Sequence, residues 1–420
     1  MLARRVSCTL SGQRVGGPRA AARRAGPGRR AYGRGMRGDA AALAGLDEAA
    51  RRRLAADAGR LERYVRQESP TGAVAALDAL ADLVVADARA AGFRGGRVPT
   101  TDPASGDAVV LDLPGRGPRA GDAPALLLAH HDTVHAVGAV PVRREGDVLH
   151  GPGTYDMKGG IVVALAAAEL LRDAGLGHRP VRLLVTPDEE VGSPATTGLI
   201  RDAARGSAYA LGLEAPGAHG GLKTARRGST RLRLHVTGLA AHAAVDPDAG
   251  VSATEELVDQ LLAARRFLAG HPTVLANVGV LAGGTRTNVV AEHARADLGL
   301  RFVTGASERA VLRHLTDPAP VRAGAQVRAE VLSRRPAWEP GAASAGLLEA
   351  VTAAAARVGQ EVTGAPAPGA ADTNLTGAAG LPTLDGFGPG GGGAHAATEH
   401  VRLPTLATRA VLLAATLHRV

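Results

Sequence analysis

The sequence predicts a layered α/β protein with a smaller α+β module set into its middle. Three features of its pattern carry this. Short apolar runs alternate with amphipathic stretches through the first half of the 420 residues, the rhythm of strands joined by crossover helices. Near Lys223 the pattern changes to strict alternation, as in a strand with one wet face. After Arg335 the first rhythm returns.

The elements follow in order. Leu46 to Val65 reads as a helix with Asp47, Glu48, Arg51 and Arg52 on its wet side. Ser69–Gly72, "SPTG", breaks it, and a second amphipathic helix runs to about Ala91. Ala108–Leu113 and Ala125–Ala129 are short and apolar, as buried strands are. Gly159–Leu176 is a helix stopped at Gly175 or Gly177. Val181–Thr186 and Ala208–Glu214 are two further strands. Ser229–Gly238 then alternates with period two, a helix covers about Ser252–Leu268, and Val274–Gly284 and Val289–Val303 read as paired strands. A helix around Glu308–Leu315 and a strand around Gln326–Leu332 complete a β-α-β-β-α-β order, which resembles a ferredoxin-like module. Helix Leu347–Val358, strand Pro382–Asp385 and helix Pro404–His418 close the layered part. The expected boundaries are a leader at 1–38, a first catalytic segment at 39–222, the module at 223–335 and a second catalytic segment at 336–420.

A formal charge of +9 invites a nucleic-acid reading. Its location argues against one. Residues 1–38 hold ten arginines and no acid, leaving 39 basic against 40 acidic residues in the body. The body has no basic stripe interleaved with aromatics. The leader is rich in Gly, Pro and Arg and lacks an apolar run long enough for a signal peptide or membrane anchor. It is expected to be disordered, and Met36 is the expected true start. Cys8 is the one cysteine. The body therefore forms no internal disulfide, which suits the cytoplasm, and any metal must be held by His, Asp and Glu.

Five short segments could carry chemistry. In "HHDTV", His130 and Asp132 lie two residues apart after an apolar strand. Asp132 can accept a hydrogen bond from one imidazole nitrogen and leave the other free for a metal; a hydrogen-bonded loop histidine is the plainer reading. Asp156 sits in "GPGTYDMKGG", either as a helix cap or as a carboxylate able to bridge two cations. "DEEVGS" packs Asp188, Glu189 and Glu190 together, which is unfavourable unless water or cations compensate. Glu214 ends "LGLE", and His395 follows a glycine run in "GPGGGGAHAATEH", one helical turn before Glu399. Each candidate lies at the C-terminal end of an expected strand or in the loop after it, where open α/β sheets bind ligands. His130, Asp156, Glu190, Glu214 and His395 together form a mixed N/O set suited to zinc. Two such ions about 3.5 Å apart can hold a hydroxide between them.

These five motifs, in this order and over nearly the whole body, resemble the M20 family of metallopeptidases and deacylases. The resemblance implies a zinc-exopeptidase-like α/β/α catalytic domain with an inserted lid and dimerisation domain. It implies two Zn²⁺ per subunit, with Co²⁺ as a possible substitute. Asp156 would bridge them, His130 and Glu214 would complete one, and Glu190 and His395 the other. Asp132 would orient His130, and Glu189 would be the general base that deprotonates the metal-bridging water. A cis peptide is implied after Asp156. His242 in "GLAAHAAVDPDAG" would reach a partner subunit's active site and contact the developing oxyanion. Asn288 in "GGTRTNVV" would contact substrate, and Arg301 and Arg335 could bind a substrate carboxylate; a salt bridge is an equal reading for each arginine. Asp372 in "GAADTN" reads as structural.

The implied activity is a carboxypeptidase acting on a small peptide or N-acyl amino acid, with a homodimer formed through the lid and neither nucleic acid nor membrane as partner. The alternative is a deacylase of acetylornithine or succinyl-diaminopimelate type. "GLEAPG" departs from the Glu-Pro-Thr of many deacylases, while "GPG" and "TARRGS" look more like the carboxypeptidase branch. A catalytically dead binding protein would need a missing ligand or base, and none is missing.

Overall fold

The computed structural model describes residues 39–420. The basic leader, Cys8 and the expected start at Met36 lie outside them. A six-stranded sheet runs in the order Arg94–Val98, Ala108–Leu113, Val181–Thr186, Ala125–His130, Tyr209–Gly212 and Thr383–Leu384. The last four strands pair in parallel, and the first two are antiparallel additions at one edge. Ala125–His130 is buried along its whole length, which is why it reads as an unbroken apolar run rather than an alternating one.

Alternation within that strand builds the layers. Leu127 joins a core with Val109, Leu183 and Leu211 beneath helices Leu46–Arg66, Gly159–Asp173 and Pro404–Arg419. Leu126 and Leu128 face the other way and pack with Leu184, Ala210, Ile200 and Leu375, under helices Thr197–Arg205 and Thr373–Gly377. The result is the expected α/β/α sandwich. The helix Gly159–Asp173 is buried from Gly159 to Leu171, so its small residues let it press onto the sheet. A Cβ at Gly160 would lie 2.0 Å from the Leu213 carbonyl oxygen.

Several short strands are not legible in the sequence, and one of them belongs to this sheet. It is Arg94–Val98, whose Gly95 and Gly96 weaken a strand pattern. Gly95 has φ 122°, and a Cβ there would lie 2.2 Å from the Val110 carbonyl oxygen. Close approach of a neighbouring backbone, not a turn, requires that glycine.

The inserted module has the order predicted for it. Strand Gly228–Thr237, helix Ala253–Ala269, strands Leu275–Gly283 and His293–Phe302, helix Gly305–Leu315 and strand Gln326–Arg335 follow one another. The sheet order is Leu275–Gly283, His293–Phe302, Gly228–Thr237, Gln326–Arg335, antiparallel throughout. Leu232, Leu234, Val236, Leu298 and Leu300 face the two helices and form a core with Leu257 and Val311.

The chain enters and leaves the module through one neck. Arg226 and Trp338 exchange backbone hydrogen bonds of 2.9 and 3.0 Å. Strand Leu222–Arg226 pairs in parallel with Gly364–Ala367, and Lys223 bridges Asp385. Lys223, where the sequence pattern shifts, thus still belongs with the layered part, and the four-stranded sheet begins at Gly228. Ala41–Val420 form one compact unit.

Beside the neck, Arg226 Nη2 lies 2.7 Å from Asp385 Oδ2, with both residues buried. Thr373 donates to the same carboxylate at 2.7 Å, and Arg226 also donates to the Gly369 carbonyl. A buried charge left without its partner is costly, whereas removing both charges is not. Arg226→Met should destabilise the protein by about 3–5 kcal/mol, and Asp385→Leu added to it should recover much of that loss. Urea unfolding of both variants measures this; a single-variant cost below about 1 kcal/mol would show that the pair behaves like an exposed one.

Candidate metal centre and active site

Three adjacent parallel strands set the positions. His130 pairs in register with Thr186 on one side, and Leu128 pairs with Gly212 on the other. The loops after these strands therefore emerge side by side, carrying His130–Asp132, Asp188–Glu190 and Glu214. Asp156 comes from the irregular turn before helix Gly159–Asp173, and a cis peptide joins it to Met157. His395 comes from the loop after the glycine run, with a left-handed φ of 63° that non-glycine residues seldom adopt.

Asp156 is shared between two imidazoles. Its Oδ1 lies 3.2 Å from His130 Nε2, and its Oδ2 lies 3.2 Å from His395 Nε2. Glu214 Oε1 is 3.6 Å from His130 Nε2, and Glu190 Oε2 is 3.1 Å from His395 Nε2. Donors bound at zinc distances of about 2.0–2.1 Å stand about 3.3–3.4 Å apart along a tetrahedron's edges. The four separations fit that spacing, in two groups joined by one carboxylate. Among the described residues, His130, Asp156 and Glu190 offer ligand atoms within 4.8 Å of one another, and with Glu214 and His395 they could hold metal, His130, Asp156 and Glu214 lying in one group and Glu190, His395 and Asp156 in the other.

The electrostatics point the same way. Burial would lower the His130 pKa, but hydrogen bonds to Asp132, Asp156 and Glu214 hold it well above the ordinary imidazole value. His395 is pulled up to about 10 by its hydrogen bonds to Asp156 and Glu190. Burial would raise the Asp156 pKa, but bonds to the two histidines hold it well below the ordinary range. The carboxylates thus draw positive charge between them, and a divalent cation can replace the two protons.

Asp132 organises this arrangement. His130 Nδ1 lies 3.0 Å from the Asp132 backbone carbonyl and 3.3 Å from its Oδ1, so the imidazole turns Nε2 toward Asp156. The same carboxylate accepts the backbone N–H groups of Glu189 and Glu190, both at 3.1 Å, and the Thr71 hydroxyl at 2.8 Å. One buried acid thereby ties the first loop to the second. Asp188 turns inward and accepts from Ala195 N and Thr196 Oγ1, so it belongs to the fold of the turn.

Glu189 is buried, and burial raises its pKa well above the ordinary carboxyl value against the pull of Arg335. Arg335 Nη2 lies 3.0 Å from Glu189 Oε1 and 3.2 Å from Asp372 Oδ1, and donates to Ser193 Oγ at 2.9 Å. Arg335 was a candidate for a substrate carboxylate. Its guanidinium is instead buried against the protein's own acids. Asp372, which also accepts from Thr186 at 2.9 Å, anchors it there. Arg301 is different. It is exposed, donates to Ser229 Oγ at 2.5 Å and faces no carboxylate at ion-pair distance among the described residues. Register places Arg301, Ser229 and Arg335 side by side at the end of the module's sheet.

Asn288 and His242 lie on exposed loops of the module. The Asn288 carbonyl accepts Ala243 N at 3.0 Å, which joins the two loops. His242 Nδ1 accepts the N–H groups of Ala244 and Val245 at 3.2 and 3.1 Å. In the neutral ring the proton then resides on Nε2, a free donor.

Glu399 was noted only for its spacing from His395. It proves to hold the Asp156 turn. Its carboxylate accepts the N–H groups of Gly153, Tyr155 and Asp156 at 3.0, 2.9 and 3.0 Å, and His135 Nε2 lies 3.4 Å away. No spacing rule reveals this, because the contact joins residues far apart in the chain.

A sequence model of peptidase family M20/M25/M40 matches residues 126–419. Carboxypeptidase G2 of Pseudomonas sp. (strain RS-16) is 28% identical over 367 residues, covering 84% of this chain and 86% of that one. Succinyl-diaminopimelate desuccinylase of Rhodopseudomonas palustris (strain BisB5) is 34% identical over 243 residues, covering 50% of this chain and 59% of that one. Among solved structures, aminopeptidase PepT from Bacillus cereus aligns with a TM-score of 0.69 at 21% identity, over 86% of this chain and 97% of that one. An M20 family metallo-carboxypeptidase, Sso-CP2 from Sulfolobus solfataricus, aligns with a TM-score of 0.68 at 14% identity, over 86% and 99%. Both structural matches speak for the fold.

Outer groups that hold ligand-bearing backbone affect metal affinity by about 10–100-fold. Glu399→Ala should weaken zinc binding by that factor while leaving every proposed ligand in place. Titration against a competing chelator measures it, and unchanged affinity would remove Glu399 from the centre's support.

Proposed function

Because the chain belongs to peptidase family M20/M25/M40 and is a hydrolase of that family, we propose that it is a two-zinc carboxypeptidase. It releases a C-terminal amino acid from a small peptide or N-acyl amino acid. The observation that carries this is Asp156, shared between two His–carboxylate groups with a buried Glu189 beside them.

Zinc, when bound, polarises the scissile carbonyl and makes water nucleophilic near neutral pH. The chain's own residues do the rest. Glu189 accepts the attacking water's proton and returns it to the leaving amine. A carboxyl pKa raised by burial suits a group that must both take and give a proton near neutrality. Arg335 holds Glu189 in place through the carboxylate and, with its second bond, through the Glu189 backbone carbonyl. Arg301, with no acid at ion-pair distance among the described residues, is the donor for the substrate's carboxylate. Asn288 lies on the loop that would border the substrate.

We further propose that the chain works as a homodimer in the cytoplasm. The edge strand Leu275–Gly283 is exposed along its whole length, and Leu275, Val278, Val280 and Leu281 on it, with Val258 and Leu262 on the neighbouring helix, are exposed apolar residues. An open apolar edge of this kind favours pairing with a second copy. His242 Nε2 would then serve the partner's developing oxyanion. No helix among the described residues is long and apolar enough to cross a membrane.

The similarity to a succinyl-diaminopimelate desuccinylase supports a second reading, an N-acyl amino acid deacylase with the same chemistry. An amine-release assay on zinc- or cobalt-loaded protein separates the two. The panel holds short peptides and N-acyl amino acids ending in Glu, with N-acetylornithine and N-succinyl-diaminopimelate. The carboxypeptidase reading expects a free C-terminal amino acid from the peptides, and loss of turnover in Glu189→Ala with zinc retained. Cleavage of only the acetyl and succinyl substrates would favour the deacylase, and full activity in Glu189→Ala would overturn the assignment of the base.

A further inference from the structure

Among the described residues, four arginines are nearly fully buried: Arg179, Arg226, Arg335 and Arg409, at 8, 5, 8 and 8% exposure. Three of them have a carboxylate within 4.0 Å: Asp122 for Arg179, Asp385 for Arg226, and Glu189 and Asp372 for Arg335. Arg409 has none among the described residues. Its side chain donates one hydrogen bond, from Nη2 to the Gly220 carbonyl at 2.5 Å, and a guanidinium carries five N–H groups. Burying a cation without a counter-ion is expensive, and burial lowers the Arg409 pKa to about 10, opposed only by Tyr155.

Arg409 lines a cavity of about 450 Å³. Arg402 lines it too, exposed and also without an ion-pair partner among the described residues. Glu361, on the exposed rim, reaches neither arginine at ion-pair distance. The other walls come from the backs of the ligand loops. Tyr155 directly precedes Asp156, Pro216 and His219 follow Glu214, and Gly391 precedes His395.

We propose that this cavity is a binding site for a phosphate group, free or as a small phosphomonoester, gripped by Arg409 and Arg402. Two guanidiniums offer about the charge of one dianion, and their planar forks match its oxygens. The volume left beyond a phosphate has room for an ester's organic part. The phosphate would supply the counter-charge that Arg409 lacks, and would bear on Tyr155 and the turn that presents Asp156.

The test uses the metal-loaded full-length protein. Inorganic phosphate and glycerol phosphate are titrated calorimetrically at constant ionic strength against wild type, Arg409→Met and Arg402→Gln. Because phosphate can also ligate zinc, crystals are soaked in selenate and the ion is located by anomalous scattering. The proposal expects saturable binding that weakens at least about tenfold in Arg409→Met, a smaller loss in Arg402→Gln, and selenate beside Arg409. Tighter binding of the ester than of phosphate assigns the remaining volume to the organic part; equal binding assigns the site to free phosphate. Should Arg409→Met not fold, the exposed Arg402→Gln and the selenate position decide. Selenate found only among Asp156, Glu190 and Glu214, or phosphate affinity unchanged in the folded variants, overturns the proposal.

Discussion

The arrangement depends on one carboxylate serving two imidazoles. Asp156 directs one oxygen to His130 and the other to His395. Around that residue the chain gathers Glu189, Glu190, Glu214 and Asp132, more negative charge than a buried region holds without compensation. Arg335 answers part of it from one side. Bringing these acids together is costly, and a divalent cation held among them would offset that cost, so the charge that burdens the site is the charge that would give it affinity for metal.

The scaffold does this with unequal parts. Adjacent parallel strands deliver His130, Glu190 and Glu214 with little freedom, because each strand is held in register inside the sandwich. Asp156 and His395 arrive on irregular backbone and need outside support. Glu399 gives it to the first through three backbone hydrogen bonds. Asp132 does the same between strand loops, fixing the His130 ring and the backbone of the acidic turn at once. The inserted module adds another constraint through Arg335. Arg335 of its last strand contacts the proposed base, and three residues later the chain leaves the module at the Arg226–Trp338 pair.

Much of this was legible in the sequence because it depends on short-range pattern. The unbroken apolar run ending in His130 announces a buried strand and places its last residue at the sheet's functional edge. The period-two run from Ser229 announces the change of architecture. What stayed hidden depends on contacts between distant segments. Arg94–Val98 is a strand in which Gly95 admits a neighbour's backbone. Lys223 lies in the layered part because Leu222–Arg226 pairs with a segment far along the chain. Arg335 reads equally as a substrate anchor or as half of a salt bridge until Glu189 and Asp372 are seen to occupy it. Arg409 carries no local signal, since its burial without a counter-ion is a property of the folded surroundings.

Metal stoichiometry tests the central claim most directly. The full-length protein would be dialysed to equilibrium against buffered zinc and its metal content measured by mass spectrometry, beside an Asp156→Asn variant of verified fold. The shared carboxylate predicts two zinc ions per wild-type chain and loss of both sites' tight binding in the variant. One ion or none in wild type, or two ions retained in Asp156→Asn, would contradict the bridge on which the rest of the site has been built.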